Sequence, residues 1–105
     1  MTNKNLMAGS ASMMILGLIY REDMYGYQIT EKLKEKSDNT FVIKAGTLYP
    51  ILHSLEKDGF VTSYEKVFNG KLRKYYSITD EGVKEYDRKK SEWTDFFNAV
   101  IKVMN

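Results

Sequence analysis

A chain of 105 residues with 43% apolar content is long enough for one packed domain and too apolar to stay disordered. It has no cysteine, which excludes disulfides, zinc–thiolate sites and cysteine nucleophiles and leaves no argument for an oxidising compartment. The net charge of +2 says little as a total, so the distribution of the 16 lysines and arginines matters more.

Leu6 to Tyr20 reads as a helix that is apolar almost all round, with Ala8, Gly9, Ser10, Ala11 and Ser12 as small residues on its early turns. Such a helix is either central or covered by a partner chain. Its run LMAGSASMMILGLIY resembles the apolar part of a signal peptide. It is too short to span a bilayer, however, and no small-x-small cleavage site follows Tyr20. A cytoplasmic protein with no membrane partner is expected. Met7, Met13 and Met14 read as packing residues.

A second helix is predicted from about Tyr25 to Lys36, with Tyr25, Ile29 and Leu33 on one face. The SDNT segment at 37–40 breaks that pattern, and Phe41 to Ile43 is predicted to form a very short strand.

The third helix, 45–57, carries the only proline and the only histidine of the chain. On a helical wheel Ile51, Leu52 and Leu55 fall within about 60° of Leu48, which makes that side core. Opposite lie Gly46, Pro50, His53 and Lys57, flanked by Thr47, Tyr49 and Ser54. Pro50 has no N–H to offer and fits best in the first turns, where that donor has no partner. Asp58-Gly59 supplies a left-handed stop.

A hairpin follows, because Asn69-Gly70 is a two-residue turn in which both residues tolerate positive φ. The turn sets the register. Val61 opposes Ile78, Ser63 Tyr76, Glu65 Lys74 and Val67 Leu72 on one face. Thr62 opposes Ser77, Tyr64 Tyr75, Lys66 Arg73 and Phe68 Lys71 on the other. Lys66 against Arg73 is a like-charge pair, which destabilises a ribbon, so a negative partner is expected there.

Thr79 then caps a last helix that has Asp80 and Glu81 in its first turn and reaches nearly to the chain's end. Val83, Tyr86, Lys90, Trp93, Phe97, Val100 and Met104 step by three and four along it, a heptad seam broken once at Lys90. So small a domain cannot cover the whole seam, and dimerisation is the expected outlet.

The predicted fold is mainly α with a minor β part: a winged helix-turn-helix of three helices plus a β-hairpin wing, with a long C-terminal dimerisation helix. Residues 1–78 would form the DNA-binding part and 79–105 the dimerisation helix of a single unit. In that architecture the third helix lies in the major groove of double-stranded DNA. Gly46, Thr47 and Pro50 then permit close approach, Tyr49 and His53 donate to bases or phosphates, and Lys57 meets the backbone. The wing brings Lys66, Lys71, Arg73 and Lys74 with no acid between Lys66 and Thr79, and phosphates would relieve the Lys66–Arg73 repulsion.

Blander readings exist for each feature. His53 could be an idle surface histidine, Tyr49 could pack against the wing, the basic ribbon could simply be solvated, and Trp93 could be dimer core alone. A lone histidine without cysteine argues against a metal site, and no cofactor is expected. No acid, base and nucleophile cluster and no glycine-rich phosphate loop is present, which argues against an enzyme. The alternative function is a winged-helix protein-interaction module that does not touch DNA; it calls for an acidic or apolar outward face on 45–57, and the sequence has neither.

The segments YGYQI at 25–29, GTLYPILHSLEKDGFV at 46–61 and RKYYSITDEG at 73–82 resemble the PadR family of bacterial transcriptional regulators. The resemblance spans nearly the whole chain. It implies a homodimeric winged-helix repressor joined through its first and last helices, and two copies of the 45–57 helix in successive major grooves would make the operator near-palindromic. Leu6, Met13, Met14, Tyr86, Trp93, Phe97, Val100 and Met104 are the interface residues this implies. Leu72 departs from the family pattern, which often has proline or a basic residue at that wing position. A single helix after the wing resembles the short subfamily. Some of its members hold flat aromatic compounds between the paired last helices, using a tryptophan. Trp93, with Phe96 and Phe97 beside it, occupies a comparable place, so the resemblance permits a planar aromatic ligand there.

Overall fold

The computed structural model describes residues 4–105, with side chains described from Ser10 onward. In chain order the elements are α1 (Lys4–Ile19), β1 (Met24–Tyr25), α2 (Gly26–Lys36), α3 (Ala45–Lys57), β2 (Val61–Phe68), β3 (Lys71–Ile78) and α4 (Asp80–Met104). The strands form one antiparallel sheet in the order β1-β3-β2. The expected interface side chain of Leu6, and the packing role given to Met7, lie outside the described residues.

The all-round apolarity of α1 has a direct cause, since the helix is central. Ile15, Leu16 and Ile19 are at most 1% exposed. They share a core with Ile29 and Leu33 of α2, with Leu48, Leu52 and Leu55 of α3, and with Val61 and Tyr76 of the sheet. A helix enclosed on several sides needs no polar stripe.

Two elements differ from expectation. Phe41 to Ile43 is not a strand; Ile43 is buried and Phe41 packs on the core, while Val42 between them is exposed, so two of the three apolar residues serve burial rather than pairing. The third strand is instead Met24–Tyr25, with Met24 opposite Tyr76 and Tyr25 opposite Tyr75. It supplies partners to the otherwise open edge of β3. Consequently α2 begins one residue later than predicted. Tyr25 is its N-cap, and the Tyr25 N–H donates to the Gln28 side-chain oxygen at 3.1 Å. Two residues are too few to show an alternating pattern in sequence.

The break at 37–40 is built from polar side chains. Asp38 and Asn39 adopt left-handed φ values of 50° and 65°. The Ser37 hydroxyl donates to the Leu33 carbonyl at 2.7 Å and accepts from the Phe41 N–H at 2.9 Å. The hairpin has the predicted register at all of its positions, from Val61 opposite Ile78 to Phe68 opposite Lys71. Asn69 and Gly70 turn it with φ of 52° and 75°.

Thr79 caps α4 as expected, its hydroxyl oxygen accepting from the Gly82 N–H at 3.0 Å and donating to the Gly59 carbonyl at 2.7 Å. Only the first part of α4 finds cover within the chain. Tyr86 and Met14, both expected at a dimer seam, are half-buried in this chain's own packing: Tyr86 lies against Gly17 and 5.2 Å from the Tyr20 ring, and Met14 packs on the core. From Ser91 to Asn105 every residue is exposed. The projecting helix stretches the molecule to 53 Å, against 30 and 21 Å across.

Candidate nucleic-acid interface

The two sides of α3 are as different as its sequence suggests. Leu48, Leu52 and Leu55 are buried and Ile51 is half-buried, whereas Gly46, Thr47, Tyr49, Pro50, His53 and Lys57 are exposed. A Cβ added at Gly46 would meet no atom within 4 Å, so nothing inside the chain demands glycine there. Pro50 sits inside the helix and withholds the N–H that the Gly46 carbonyl would otherwise accept. Lys44, exposed at the N-cap, adds a cation to the same end of the helix. The sequence reading passed over it, although a basic residue beside a predicted helix start was the available signal.

Tyr49 is the exception on this face. Its ring leans across the start of α2, where the hydroxyl comes so close to Gly26 that a Cβ on that residue would overlap it. It remains 39% exposed, so one side of the ring faces outward. The far end of α3 is tied to the wing, because the Ser63 hydroxyl on β2 donates to the Glu56 carboxylate at 2.7 Å. Between them lies Tyr76. Burial, helped by the neighbouring Tyr49 and Glu56, holds its phenol above the ordinary tyrosine value.

The wing's cations divide between the two faces of the ribbon. Lys74 stands opposite Glu65, with its ammonium 5.7 Å from the Tyr76 ring centroid. On the other face the Lys66 ammonium lies 5.4 Å from the Tyr75 ring, and the Arg73 guanidinium 4.7 Å from the Tyr25 ring. The two aromatic faces, whose negative quadrupoles attract cations, ease part of the Lys66–Arg73 repulsion within the chain. Those rings hold one another: Tyr64 stacks on Tyr75 at 5.6 Å, and Tyr25 meets Tyr75 edge-on at 5.4 Å.

Arg73 is therefore half-buried, and its Nε is buried with no hydrogen-bond partner among the described residues. Lys66, Lys71 and Lys74 are exposed and are the freer cations of the wing. At the rim the Tyr64 hydroxyl donates to the Asp23 carboxylate at 2.6 Å, and that bond is the main reason its phenol is raised above the usual value. No spacing in the sequence signals this pair, which brings residues 23 and 64 together only through the fold.

On α4, Trp93 is 38% and Phe97 51% exposed, and the Trp93 ring lies 6.4 Å from both Phe96 and Phe97. Val100 and Met104 continue the same uncovered stripe. Beside Trp93 an apolar groove of about 360 Å³ opens between α1, α2 and α4, lined by Met13, Met14, Gly17, Leu18, Leu33, Phe41 and Tyr86 among others. Phe96 and Phe97 do not reach that groove; Phe96 borders a second one with Met13 and Trp93. Among the described residues no helix is long and apolar enough to cross a membrane.

Comparison with known proteins agrees with this geometry. The profile of the transcriptional regulator PadR-like family matches residues 15–88. The chain is 34% identical over 96 residues to uncharacterized protein X of Lysinibacillus sphaericus, covering 90% of this chain and 88% of that protein. It is 36% identical over 72 residues to the negative transcriptional regulator PadR of Bacillus subtilis, covering 68% of this chain but only 40% of that longer protein. Among solved structures, a transcriptional regulator from Clostridium thermocellum superimposes with a TM-score of 0.86 at 37% identity, covering 94% of this chain and 97% of the other.

Proposed function

The chain belongs to the PadR-like family of transcriptional regulators, and we propose that it works as a homodimeric repressor of a near-palindromic DNA site. The observation that carries this reading is the two-sidedness of α3. Its apolar residues anchor the core, while Gly46, Thr47, Pro50, His53 and Lys57 stand bare on the opposite side, next to a cationic wing braced by Glu56 and Ser63. Thr47, Tyr49 and His53 approach base edges, and Lys57, Lys66, Lys71 and Lys74 meet phosphates. Arg73 joins them through the part of its guanidinium that Tyr25 leaves free. The uncovered stripe of Trp93, Phe97, Val100 and Met104 supports a second copy as the partner of α4. Pairing through that helix would present two copies of α3 to successive major grooves, roughly 34 Å apart. The name of the Bacillus subtilis relative, a negative regulator, favours repression as the sign of control.

Selection from a randomised duplex pool tests the reading. The protein should enrich an inverted repeat whose half-sites lie about one helical turn apart, with binding that weakens steeply as salt rises. Recovery of no common sequence, with no duplex retained at low salt, overturns it.

A planar aromatic effector at the dimer interface belongs to the same reading. The Trp93, Phe96 and Phe97 rings and the apolar groove beside Trp93 favour it. Titration of flat aromatic cations should change the fluorescence of the only tryptophan. Such a compound releases DNA only if it binds one dimer geometry more tightly than the other. No fluorescence response to a broad panel removes the effector from the account.

A further inference from the structure

Gly26 is buried, and no feature of its own backbone explains why it is glycine. It is the first residue of α2, and its φ lies outside the left-handed region that would favour glycine. What excludes a side chain is Tyr49. The nearest atoms to a Cβ built at position 26 all belong to that one ring: Oη at 2.3 Å, Cζ at 2.9 Å and Cε1 at 3.4 Å. Contacts below about 3 Å do not occur at real Cβ atoms, so an alanine there must displace the ring. The ring's far end is the part that would move, and a side-chain tip can yield without disturbing the backbone beneath it.

Tyr49 differs from its neighbours on the outward face of α3 in lying against another element. The exposed side chains of Thr47, His53 and Lys57 form no hydrogen bond or ion pair among the described residues. The phenol lies across the α2 start with one side outward, close to the buried Tyr76 and to the end of α3 that carries Thr47. We propose that Gly26 is a specificity-positioning residue: its missing side chain is the socket that receives the hydroxyl end of Tyr49 at the start of α2, so that the ring meets DNA in one fixed orientation. The proposal rests on the reading that α3 enters the major groove. It assigns no DNA contact to Gly26 itself. Base discrimination depends on pre-set geometry, whereas phosphate attraction tolerates a loose side chain. Loss of the socket should therefore damage sequence preference more than general affinity.

The test uses the full-length protein, a duplex selected by the wild type from a random pool, and a scrambled duplex of the same composition. Gly26→Ala should lower the preference for the selected over the scrambled duplex by tenfold or more. Scrambled-duplex affinity and the salt slope should stay within twofold of wild type. In a Tyr49→Ala background, where the socket is empty, adding Gly26→Ala should change the preference by less than twofold. An equal loss in both backgrounds makes Gly26 a purely structural residue and overturns the proposal, as does a Gly26→Ala protein with unchanged preference.

A measurement without DNA separates this inference from the function it rests on. With ring-labelled tyrosine, Gly26→Ala should shift the Tyr49 NMR signals and leave those of Tyr20, which packs on Tyr86, in place. Unmoved Tyr49 signals overturn the socket even if no duplex is ever bound. If Gly26→Ala alone fails to fold by circular dichroism, the double variant with Tyr49→Ala should recover helix content. Failure of the double variant to do so counts equally against it.

Discussion

The Glu56 carboxylate, on the last turn of α3, accepts a hydrogen bond from the Ser63 hydroxyl of β2 at 2.7 Å, which ties the outward helix to the wing. The acceptor is charged and half-buried, so leaving it unpaired costs more than a neutral surface bond would. Ser63→Ala is expected to lower stability by about 1–3 kcal/mol in urea denaturation. It should also loosen the wing, read as faster amide exchange along β2.

Gly82 and Gly17 should respond differently to alanine. A Cβ at Gly82 would fall 2.1 Å from the Phe60 carbonyl oxygen, which already accepts from the Thr79 N–H. Backbone cannot step aside, so Gly82→Ala should cost about 3 kcal/mol or more. At Gly17 the obstacle is the Tyr86 ring at 2.8 Å, which can tilt. Gly17→Ala should cost about 1 kcal/mol. Thermal melts of the two variants side by side check the order.

Charge placed on the exposed stripe of α4 should break a dimer built there. Trp93→Asp with Phe97→Asp is expected to give monomers in sedimentation at concentrations where the wild type is dimeric, with the helix content of residues 10–90 retained. A dimer that survives both changes puts the interface elsewhere.

The wing's cations should separate by pose. Lys74→Ala and Lys66→Ala should each weaken binding to every duplex and reduce the salt slope by about 1. Arg73→Ala with Lys74→Ala should do the same more strongly. Because Arg73 is half-buried over the Tyr25 ring while Lys74 is exposed and farther from the Tyr76 ring, Arg73→Ala alone should lower the melting temperature more than Lys74→Ala.

The Tyr64–Asp23 hydrogen bond predicts a titration. The bond needs the protonated phenol, so the folded-state value lies above the ordinary tyrosine range. Its contribution is complete below the unfolded tyrosine value and disappears as the pH rises through the higher folded one. Absorbance at alkaline pH should show two tyrosines, Tyr64 and Tyr76, ionising late. Asp23→Asn should return Tyr64 toward the ordinary value, and Tyr64→Phe should leave Tyr76 as the one late step.

Much of this was legible in the residues. The core stripe of Leu48, Leu52 and Leu55, the bare face from Gly46 to Lys57, the hairpin register about Asn69-Gly70, and the Thr79 cap depend on interactions between near neighbours in sequence. Helical period, turn chemistry and capping are short-range rules, and here they agree with one another. The uncovered seam of α4 followed the same way, from its length set against so small a body.

Other features came only with the third dimension. The strand at Met24–Tyr25 exists because the β3 edge needed partners, and two residues carry no periodic signature. Tyr49 lying on Gly26, Arg73 on Tyr25, and Tyr64 bonded to Asp23 each join segments whose approach is decided by how α2, α3 and the sheet pack around α1. Sequence thus determined which side of each element is apolar and which residues face out. The packing angles between elements decided where those outward side chains rest, because a long side chain settles on whatever surface the neighbouring element brings within its reach.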